Sequence, residues 1–373
     1  MKILIAEYAN HYKVIENTHK LIELNSVNSE ITLFVNKDKP GTNLRELLFK
    51  DASSANWIIH KFHSTTFFIH LLVIGRNYDI INISTGPEGS HYSNLLSALF
   101  FYVCSVVYKD KIVLTIKNTR PFLKSTRGIK SFFLNLAISK IKVFTFETNT
   151  LKNIFHKETG ISLSGLCVSY DRYVDLYSPS RSEKEYSNLD NKKYRIGLLG
   201  AVQVHRRDYF EIINALKKVP IAIREKMLFV TLGNTNGGTS NKILIELKKL
   251  VDVDITDGWI SAEDFDKRGA MCDLLISPLK SSMEYGLYKG SGTFGDAVYL
   301  RKKVIIPSHV DPFCEFKEAS LYYNNTESLS KIFMNIDEFI KGEINEIFYA
   351  KFHTSEVYKE IKSVIKKKLL YKK

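Results

Sequence analysis

The segment from Leu274 to Ile306 (LLISPLKSSMEYGLYKGSGTFGDAVYLRKKVII) constrains the fold most, because two apolar runs flank a small-residue loop that leads into a short helix. The loop reads Gly290-Ser291-Gly292-Thr293-Phe294-Gly295. Where a strand passes to a helix, backbone amides bared by glycines lie at the positive end of the helix and can bind a diphosphate. A tight turn without a ligand is the alternative for an isolated glycine-rich motif.

The segments on either side of this loop favour the interpretation as a diphosphate-binding loop over a turn without a ligand. GWISAEDFDKRGAMCDLLISP before it reads as a turn, a short helix and a buried strand, and KKVIIP after it reads as another apolar strand. This order of elements is typical of a doubly wound parallel sheet, whose ligands bind outside the carboxyl ends of the strands.

The first half of the chain alternates in the same way. Short β-branched or aromatic runs are separated by longer helical stretches; the runs are KILIA, EITLFV, DIINIS, KIVLTI, KVFTFE and GLCVSY. This alternation predicts a parallel sheet buried on both faces. Apolar periodicity stops over SPSRSEKEYSNLDNKK, and a chain of 373 residues usually forms more than one core. We expect an α/β domain over residues 1–180, a linker over 181–193 and a second α/β domain over 194–350.

Hydropathy and cysteine usage predict where the protein resides. The longest apolar stretch, Leu95–Tyr108, is shorter than the roughly 20 residues that span a bilayer, so it predicts a buried helix. The first residues, MKILIAEYAN, have too short an apolar run for a signal peptide. We therefore expect a cytoplasmic protein. Cys104, Cys167, Cys272 and Cys314 lack metal-ligand spacing, so we expect inert thiols, no disulfide and no structural zinc.

The net charge of +13 indicates a polyanionic partner: nucleic acid, an anionic membrane surface or a phosphate-rich ligand. In the C-terminal segment an apolar helical stripe is surrounded by lysines; the stripe is Val357, Ile361, Val364, Ile365 and Leu369. Such a helix is typical of proteins that lie on anionic lipid, and an ordinary solvated surface is the alternative. A second basic group comprises Lys117, Arg120, Lys124, Arg127 and Lys130. No recognised nucleic-acid-binding pattern accompanies the charge, so we do not expect nucleic acid as a partner.

Four motifs between residues 194 and 310 resemble the retaining glycosyltransferases of the GT-B fold, family 4-like group. They are YRIGLLGAVQVHRRD, MLFVTLGN, DGWI and the segment that contains Glu284 and Asp296. The resemblance implies two Rossmann-like, doubly wound domains facing a central cleft, with the nucleotide-sugar donor on the second domain and the acceptor on the first. It also implies that the basic helix over 351–373 packs back toward the first domain.

The resemblance also assigns the donor site. Positive charge must stabilise the leaving diphosphate, and Arg206 occupies the position of the family's basic residue. A second arginine usually follows the glycine that is Gly200 here, but Ala201 stands there; Arg207, Lys280 or Lys289 could supply that charge. Glu284 matches the acidic residue at the donor sugar, and Asp296 matches the carboxylate that accepts hydrogen bonds from ribose, although their spacing is 12 rather than 8. The remaining donor-binding residues are Gly233, Asn234, Trp259, Ile260, Gly290, Ser291, Gly292 and Thr293.

The acceptor side departs further from the family. Its residues follow the strands of the first domain; they are Glu7, Asn10, His11, Ser84–His91, Asn118, Thr119 and Arg120. Ser84 replaces a common histidine, for which His91 could substitute or could instead cap a helix. An inverting enzyme would need Glu7, Glu88 or His91 as general base, whereas retention needs none. No DxD-type motif is present, so we expect metal-independent, retaining catalysis without a cofactor.

The sequence thus predicts a hexosyltransferase-type enzyme that moves a sugar from a nucleotide donor to a growing cell-surface glycan of the capsule, O-antigen or exopolysaccharide type. The acceptor is a glycan or a lipid-linked sugar, and the enzyme would be peripheral on the inner face of the cell membrane. The alternatives are another GT-B enzyme, such as a sugar-nucleotide epimerase, and a non-catalytic relative.

Overall fold

A computed structural model describes residues 1–8, 12–26, 28–36, 56–60, 64–86, 95–122, 128–176, 193–236, 238–256, 258, 260–342 and 344–370. The chain forms two compact units. The first comprises Met1–Asp171, Tyr288–Gly290 and His353–Lys373, and the second comprises Arg172–Leu287 and Ser291–Phe352. The linker predicted over residues 181–193 lies, except for Lys193, outside the described residues.

The first unit is built on a parallel sheet of seven described strands, in the order β3-β2-β1-β4-β5-β6-β7. The strands are β1 Lys2–Glu7, β2 Glu30–Asn36, β3 Asn56–His60, β4 Ile80–Ile83, β5 Ile112–Ile116, β6 Val143–Phe146 and β7 Leu166–Val168. Ile3 of β1 pairs with Ile31 on one side and Ile80 on the other, so the order reverses at β1. Ligands of doubly wound sheets bind at such a switch point.

The helices of this unit cover the sheet. They are α1 Tyr12–Asn25, α2 Ser64–Ile74, α3 Leu95–Val107, α4 Ile129–Lys140 and α5 Asn149–Thr159. One face of the sheet buries a core rich in phenylalanine, which includes Phe67 and Phe101. The predicted buried helix is α3, but it buries one side only: Phe101 is inaccessible, while Leu96 and Val107 are more than half exposed.

The second unit is built on a parallel sheet of six described strands, in the order β10-β9-β8-β11-β12-β13. The strands are β8 Tyr194–Leu199, β9 Met227–Leu232, β10 Asp252–Asp254, β11 Leu274–Ile276, β12 Val304–Pro307 and β13 Ser320–Tyr323. The helices are α6 Tyr209–Lys217, α7 Ile221–Arg224, α8 Gly238–Lys248, α9 Ala262–Ala270, α10 Gly292–Leu300, α11 Thr326–Met334, α12 Ile336–Lys341 and α13 Glu346–Ala350. Both units are therefore doubly wound α/β structures, as predicted.

The basic C-terminal segment forms helix α14, Thr354–Ile365, which continues as a π-helical turn over Lys366–Leu370. It belongs to the first unit and contacts α1 and β7. Three residues of its apolar stripe, Val357, Ile361 and Leu369, are at most 8% exposed, whereas Val364 and Ile365 are half-buried. Most of the stripe therefore packs into the protein, and the outward lysines remain to meet an anionic surface.

Two observations bear on the predicted location and thiol chemistry. Within the described ranges, no helix is both long enough and apolar enough to cross a membrane. Cys104, Cys167 and Cys272 are buried and Cys314 is exposed; all four are free thiols. Burial raises the pKa of Cys167 and of Cys272 to about 12, so these thiols stay protonated and unreactive at neutral pH.

We expect Ile361→Ala to lower the free energy of unfolding by about 2–4 kcal/mol, because it removes a buried side chain that seats α14 on the first unit. Chemical denaturation followed by circular dichroism measures the change. Lys362→Ala, at the exposed neighbouring position, is the matched control and should change the unfolding free energy little. Equal stability of the two variants would contradict the buried stripe.

Candidate active site

The loop after β8 contains the glycine and the two arginines that the sequence assigns to the donor. Gly200 has φ +73°, a left-handed conformation that favours glycine. A Cβ at this position would also overlap the guanidinium of Arg207, which lies directly against the turn. The backbone conformation therefore favours glycine here, and a larger residue would also have to displace the guanidinium of Arg207.

Arg207 is a buried cation, with 8% of its surface exposed. Its Nη1 donates a hydrogen bond of 3.0 Å to the carbonyl oxygen of Ala201, and its Nε has no hydrogen-bond partner among the described residues. Burial lowers its pKa. The guanidinium is compensated by a carbonyl oxygen and, at longer range, by the charge of Asp296, and burial outweighs both, so an anion beside it would add a favourable partner. Of the three residues that could replace the charge missing at Ala201, Arg207 is the one that lies against this turn.

Arg206 and Glu284 are 78 positions apart in sequence, and the fold brings their neighbourhoods together. The Arg206 guanidinium donates a hydrogen bond to the Tyr285 hydroxyl, and its Cζ lies 5.5 Å from the centre of the Tyr285 ring. The amide of Lys280 donates to the carbonyl oxygen of Arg206 at 3.0 Å. Glu284 itself has φ +57°, unusual for a residue with a side chain and found often at functional sites.

The predicted phosphate loop divides between the two units. Ser291 caps α10, where its Oγ accepts a hydrogen bond of 3.3 Å from the amide of Thr293. The Thr293 hydroxyl donates a buried hydrogen bond of 2.9 Å to Ser277 Oγ. Ser277 directly follows β11, so this bond connects the first turn of α10 to the end of that strand. Gly292 is exposed at the first position of α10. The amino end of α10 therefore stands at the carboxyl edge of the sheet, where the helix dipole favours an anion.

Lys289 and Gly290 belong to the first unit. The amide of Gly290 donates to the carbonyl oxygen of Lys117 at 2.8 Å, and Lys289 forms an antiparallel bridge with Asn118. The amide of Thr119 donates to the carbonyl oxygen of Tyr288 at 2.8 Å. We call Tyr288–Gly290 the 288–290 strip. Its residues thus contact the acceptor-side loop after β5.

Asp296, predicted to bind ribose, is held by an arginine that the motifs did not indicate. Asp296 Oδ1 lies 3.0 Å from Nε of Arg172. The Arg172 guanidinium also stacks over Phe265 at 4.8 Å and Tyr299 at 4.6 Å. The role of Asp296 toward ribose stays a prediction, and a ribose hydroxyl there would share the carboxylate with Arg172.

The other donor residues line the neighbouring loops. A Cβ on Gly233 would overlap the backbone of Gly200, so the loops after β8 and β9 touch. The amide of Val202 donates to the carbonyl oxygen of Asn234 at 2.9 Å, and Asn234 Oδ1 accepts from the amide of Asn236 at 2.8 Å. Ile260 is half-buried. Trp259 lies outside the described residues.

On the acceptor side, Glu7 is the predicted catalytic residue that the structure describes. It is 1% exposed, and its Oε2 accepts a hydrogen bond of 2.7 Å from the Thr85 hydroxyl. Ser84 is fully buried beside it. Asn118 Oδ1 accepts from the amide of Arg120 at 3.0 Å, which fixes the loop after β5. The predicted residues Asn10, His11, Glu88 and His91 lie outside the described part of the chain.

The motifs missed a cluster of three charged residues, Lys117, Glu147 and Asp171, which we call the Lys117 cluster. Lys117 Nζ donates a hydrogen bond to Glu147 Oε1 and lies 2.9 Å from Asp171 Oδ1. Burial, reinforced by the charge of Asp171, raises the pKa of Glu147 to about 8. The two carboxylates outweigh burial at Lys117 and raise its pKa. The signal in the sequence was a charged residue directly after the apolar runs of β5 and β6.

No protein-family model matches the chain, and none of the curated proteins matches it. Among solved structures, HepE from Anabaena in complex with UDP-glucose superposes with a TM-score of 0.67 at 12% identity, over 98% of this chain and 100% of HepE. A glycosyltransferase from Rickettsia africae gives 0.68 at 14%, over 100% and 99%. The UDP-GlcNAc 2-epimerase from Neisseria meningitidis gives 0.59 at 13%, over 98% and 100%.

The chain therefore has the GT-B fold, two α/β units that each carry an all-parallel sheet. The resemblance to GT-B glycosyltransferases that the motifs indicated is confirmed in the fold of these solved structures.

We expect Gly200→Ala to destabilise the protein more than Gly160→Ala. Both glycines have left-handed backbone, with φ +73° and +74°, and this conformation costs an alanine about 1 kcal/mol. A Cβ at Gly160 meets no described atom within 4 Å, whereas one at Gly200 overlaps Arg207. The difference in unfolding free energy, about 1–3 kcal/mol, measures that contact. It should shrink when Gly200→Ala is combined with Arg207→Ala; an unchanged difference would contradict the packing of Arg207 on the turn.

Proposed function

We propose that this protein is a glycosyltransferase that moves a hexosyl group from a nucleotide-sugar to a growing cell-surface glycan of the capsule, O-antigen or exopolysaccharide type. The buried guanidinium of Arg207 against the Gly200 turn carries this proposal. It stands at the carboxyl end of β8, the central strand where the order of the second sheet reverses. HepE was solved with UDP-glucose and also with UDP and glucose, which supports a nucleotide-sugar as donor.

Glycosyl transfer from a nucleotide-sugar requires positive charge near the leaving diphosphate. As the bond between the sugar C1 and the β-phosphate oxygen breaks, negative charge grows on the diphosphate. Arg207, Arg206 and the amide end of α10 converge on the carboxyl edge of the second sheet and would stabilise it. Because two arginines and a helix end supply this charge, we propose catalysis that does not depend on a metal ion.

The acceptor hydroxyl forms the new bond to C1. We propose retention of the anomeric configuration: the acceptor oxygen attacks from the side that the diphosphate leaves, and the diphosphate takes the hydroxyl proton. Glu284, beside the Arg206–Tyr285 contact, would accept hydrogen bonds from hydroxyls of the donor sugar. In this scheme a protein base is not required at the acceptor.

The net charge of +13 and the outward lysines of α14 support residence in the cytoplasm on the inner face of the membrane, with a glycan or lipid-linked acceptor. A second candidate follows from the Neisseria epimerase, whose TM-score is close to that of the transferases. An epimerase would change the sugar of the nucleotide donor without releasing free nucleoside diphosphate. Chromatography of the reaction products therefore separates the two activities.

We expect Arg207→Met to weaken nucleoside diphosphate binding roughly 10- to 100-fold, since charge-assisted hydrogen bonds contribute about 1.5–3 kcal/mol. The measurement is a thermal-shift screen of UDP, GDP, CDP and ADP, followed by calorimetric titration with the nucleotide that binds. The methionine keeps the volume and removes a buried charge, so the free protein should not lose stability through lost electrostatics.

Lys217→Ala is the control, because Lys217 is exposed on the same unit and carries the same charge. It should bind the nucleotide as the unaltered protein does. If no nucleoside diphosphate shifts the melting temperature, or if Arg207→Met binds as tightly as Lys217→Ala, the proposed donor site is wrong.

A further inference from the structure

The Lys117 cluster stands where a doubly wound sheet binds its ligands. Lys117 directly follows β5, Glu147 directly follows β6, and Asp171 lies three residues beyond β7. These three strands are neighbours in the sheet and run parallel, so their carboxyl ends meet at one edge. All three residues belong to the first unit, as do the loops that the sequence assigned to the acceptor.

The three side chains of the cluster are mostly buried but differ in exposure. The Glu147 side chain is 7% exposed and that of Lys117 13%, whereas Asp171 is 21% exposed. Glu147 Oε1 accepts from Lys117, and Gly290 of the 288–290 strip lies so close to Oε2 that a Cβ there would overlap it. Asp171 is therefore the most exposed member of the cluster and Glu147 the least exposed.

Glu147 is the exceptional member of the cluster. Its Oε2 is buried and has no hydrogen-bond partner among the described residues. In the part of the chain that the structure describes, the charged groups that face it are Lys117 at the end of β5 and Asp171 beyond β7, and the strip adds the uncharged Gly290. A buried carboxyl group with this surrounding keeps its proton at neutral pH, and perturbed groups of this kind concentrate at functional sites.

We propose that Lys117 and Asp171 form a subsite for the hydroxyl groups of a neutral sugar acceptor, and that Glu147 is a positioning residue that holds Lys117 in place. The inference rests on the proposed glycosyl transfer for its ligand class. Asp171 accepts a hydrogen bond from a sugar hydroxyl, and the Lys117 ammonium donates to a hydroxyl oxygen.

The charge of the cluster selects a neutral ligand. With Glu147 protonated, Lys117 and Asp171 cancel, so neither an anion nor a cation is attracted. When Glu147 ionises, the cluster becomes net negative, and the new carboxylate competes with the sugar hydroxyl for the Lys117 ammonium group. The subsite therefore works below the pKa of Glu147, which lies near 8, and weakens as the pH rises through it.

The test measures binding of methyl α- and β-hexopyranosides of glucose, galactose and mannose to the full-length protein by saturation-transfer NMR at pH 7. We expect at least one of them to bind, and Asp171→Asn and Lys117→Met each to weaken its binding about tenfold or more. Glu147→Gln imitates the protonated carboxyl group and should bind as the unaltered protein does. Glu16→Gln, which removes the carboxylate of the Lys20–Glu16 pair on α1, is the matched control and should also bind normally.

A pH series separates a positioning role from a merely structural one. From pH 7 to pH 9 the affinity of the unaltered protein should fall, whereas that of Glu147→Gln should stay level. The proposal is overturned if no methyl hexopyranoside binds, if Asp171→Asn binds like the control, or if Glu147→Gln keeps the pH dependence of the unaltered protein. Circular dichroism of every variant identifies a loss of binding that comes from unfolding. If Asp171→Asn is unfolded, Asp171→Glu serves as the second variant. It keeps the charge but displaces the carboxylate, so it should bind the sugar more weakly.

The donor and acceptor proposals fail separately. Sugar binding through Asp171 in a protein that binds no nucleoside diphosphate would leave the subsite in place and remove the transferase. Nucleotide binding through Arg207 without any sugar bound through Asp171 would do the reverse.

Discussion

Every described strand of both sheets runs parallel to its neighbours, and the placement of every candidate functional residue depends on this constraint. Parallel strands need a crossover between them, so the chain returns to the same edge each time and all carboxyl ends lie on one side. The loops that leave those ends carry Arg206 and Arg207 in the second unit, and Lys117 and Glu147 in the first. Residues far apart in sequence thus share one edge of a sheet without any local signal that they belong together.

Each unit contains a buried cation, Arg207 in the second and Lys117 in the first, and the two differ in the groups that compensate their charge. Arg207 is held by a carbonyl oxygen within the described residues, so an anion improves its electrostatic environment. Lys117 has two acidic side chains around it, and with Glu147 protonated its charge is balanced by Asp171, so a neutral hydroxyl group is the better ligand. A buried charge is costly unless it is compensated. The groups that already surround each cation therefore indicate which class of ligand it can bind in addition. This contrast agrees with a diphosphate on the second unit and a sugar acceptor on the first.

Much of the fold was predictable, because short continuous apolar runs separated by helical stretches leave a parallel α/β sheet as the consistent arrangement. The glycine after β8 was also predictable, since its left-handed turn is a local property of the backbone. The contacts of individual site residues were less predictable from the sequence. Thr293 follows a phosphate-loop pattern, yet its hydroxyl bonds to Ser277, and Asp296 follows a ribose pattern, yet its carboxylate pairs with Arg172. Both partners come from distant strands or loops, and no spacing rule identifies them.

The sequence by itself determined the two α/β units, the order of helix and strand, and the turns at which glycine is required, because these depend on hydropathy periods and backbone sterics over a few residues. Only the tertiary structure decided that Val357, Ile361 and Leu369 of the C-terminal segment are buried, that Gly290 lies against Glu147, and that Lys117 meets two acidic side chains. Burial and charge compensation depend on which distant side chains meet, and that is settled when the sheets and helices pack.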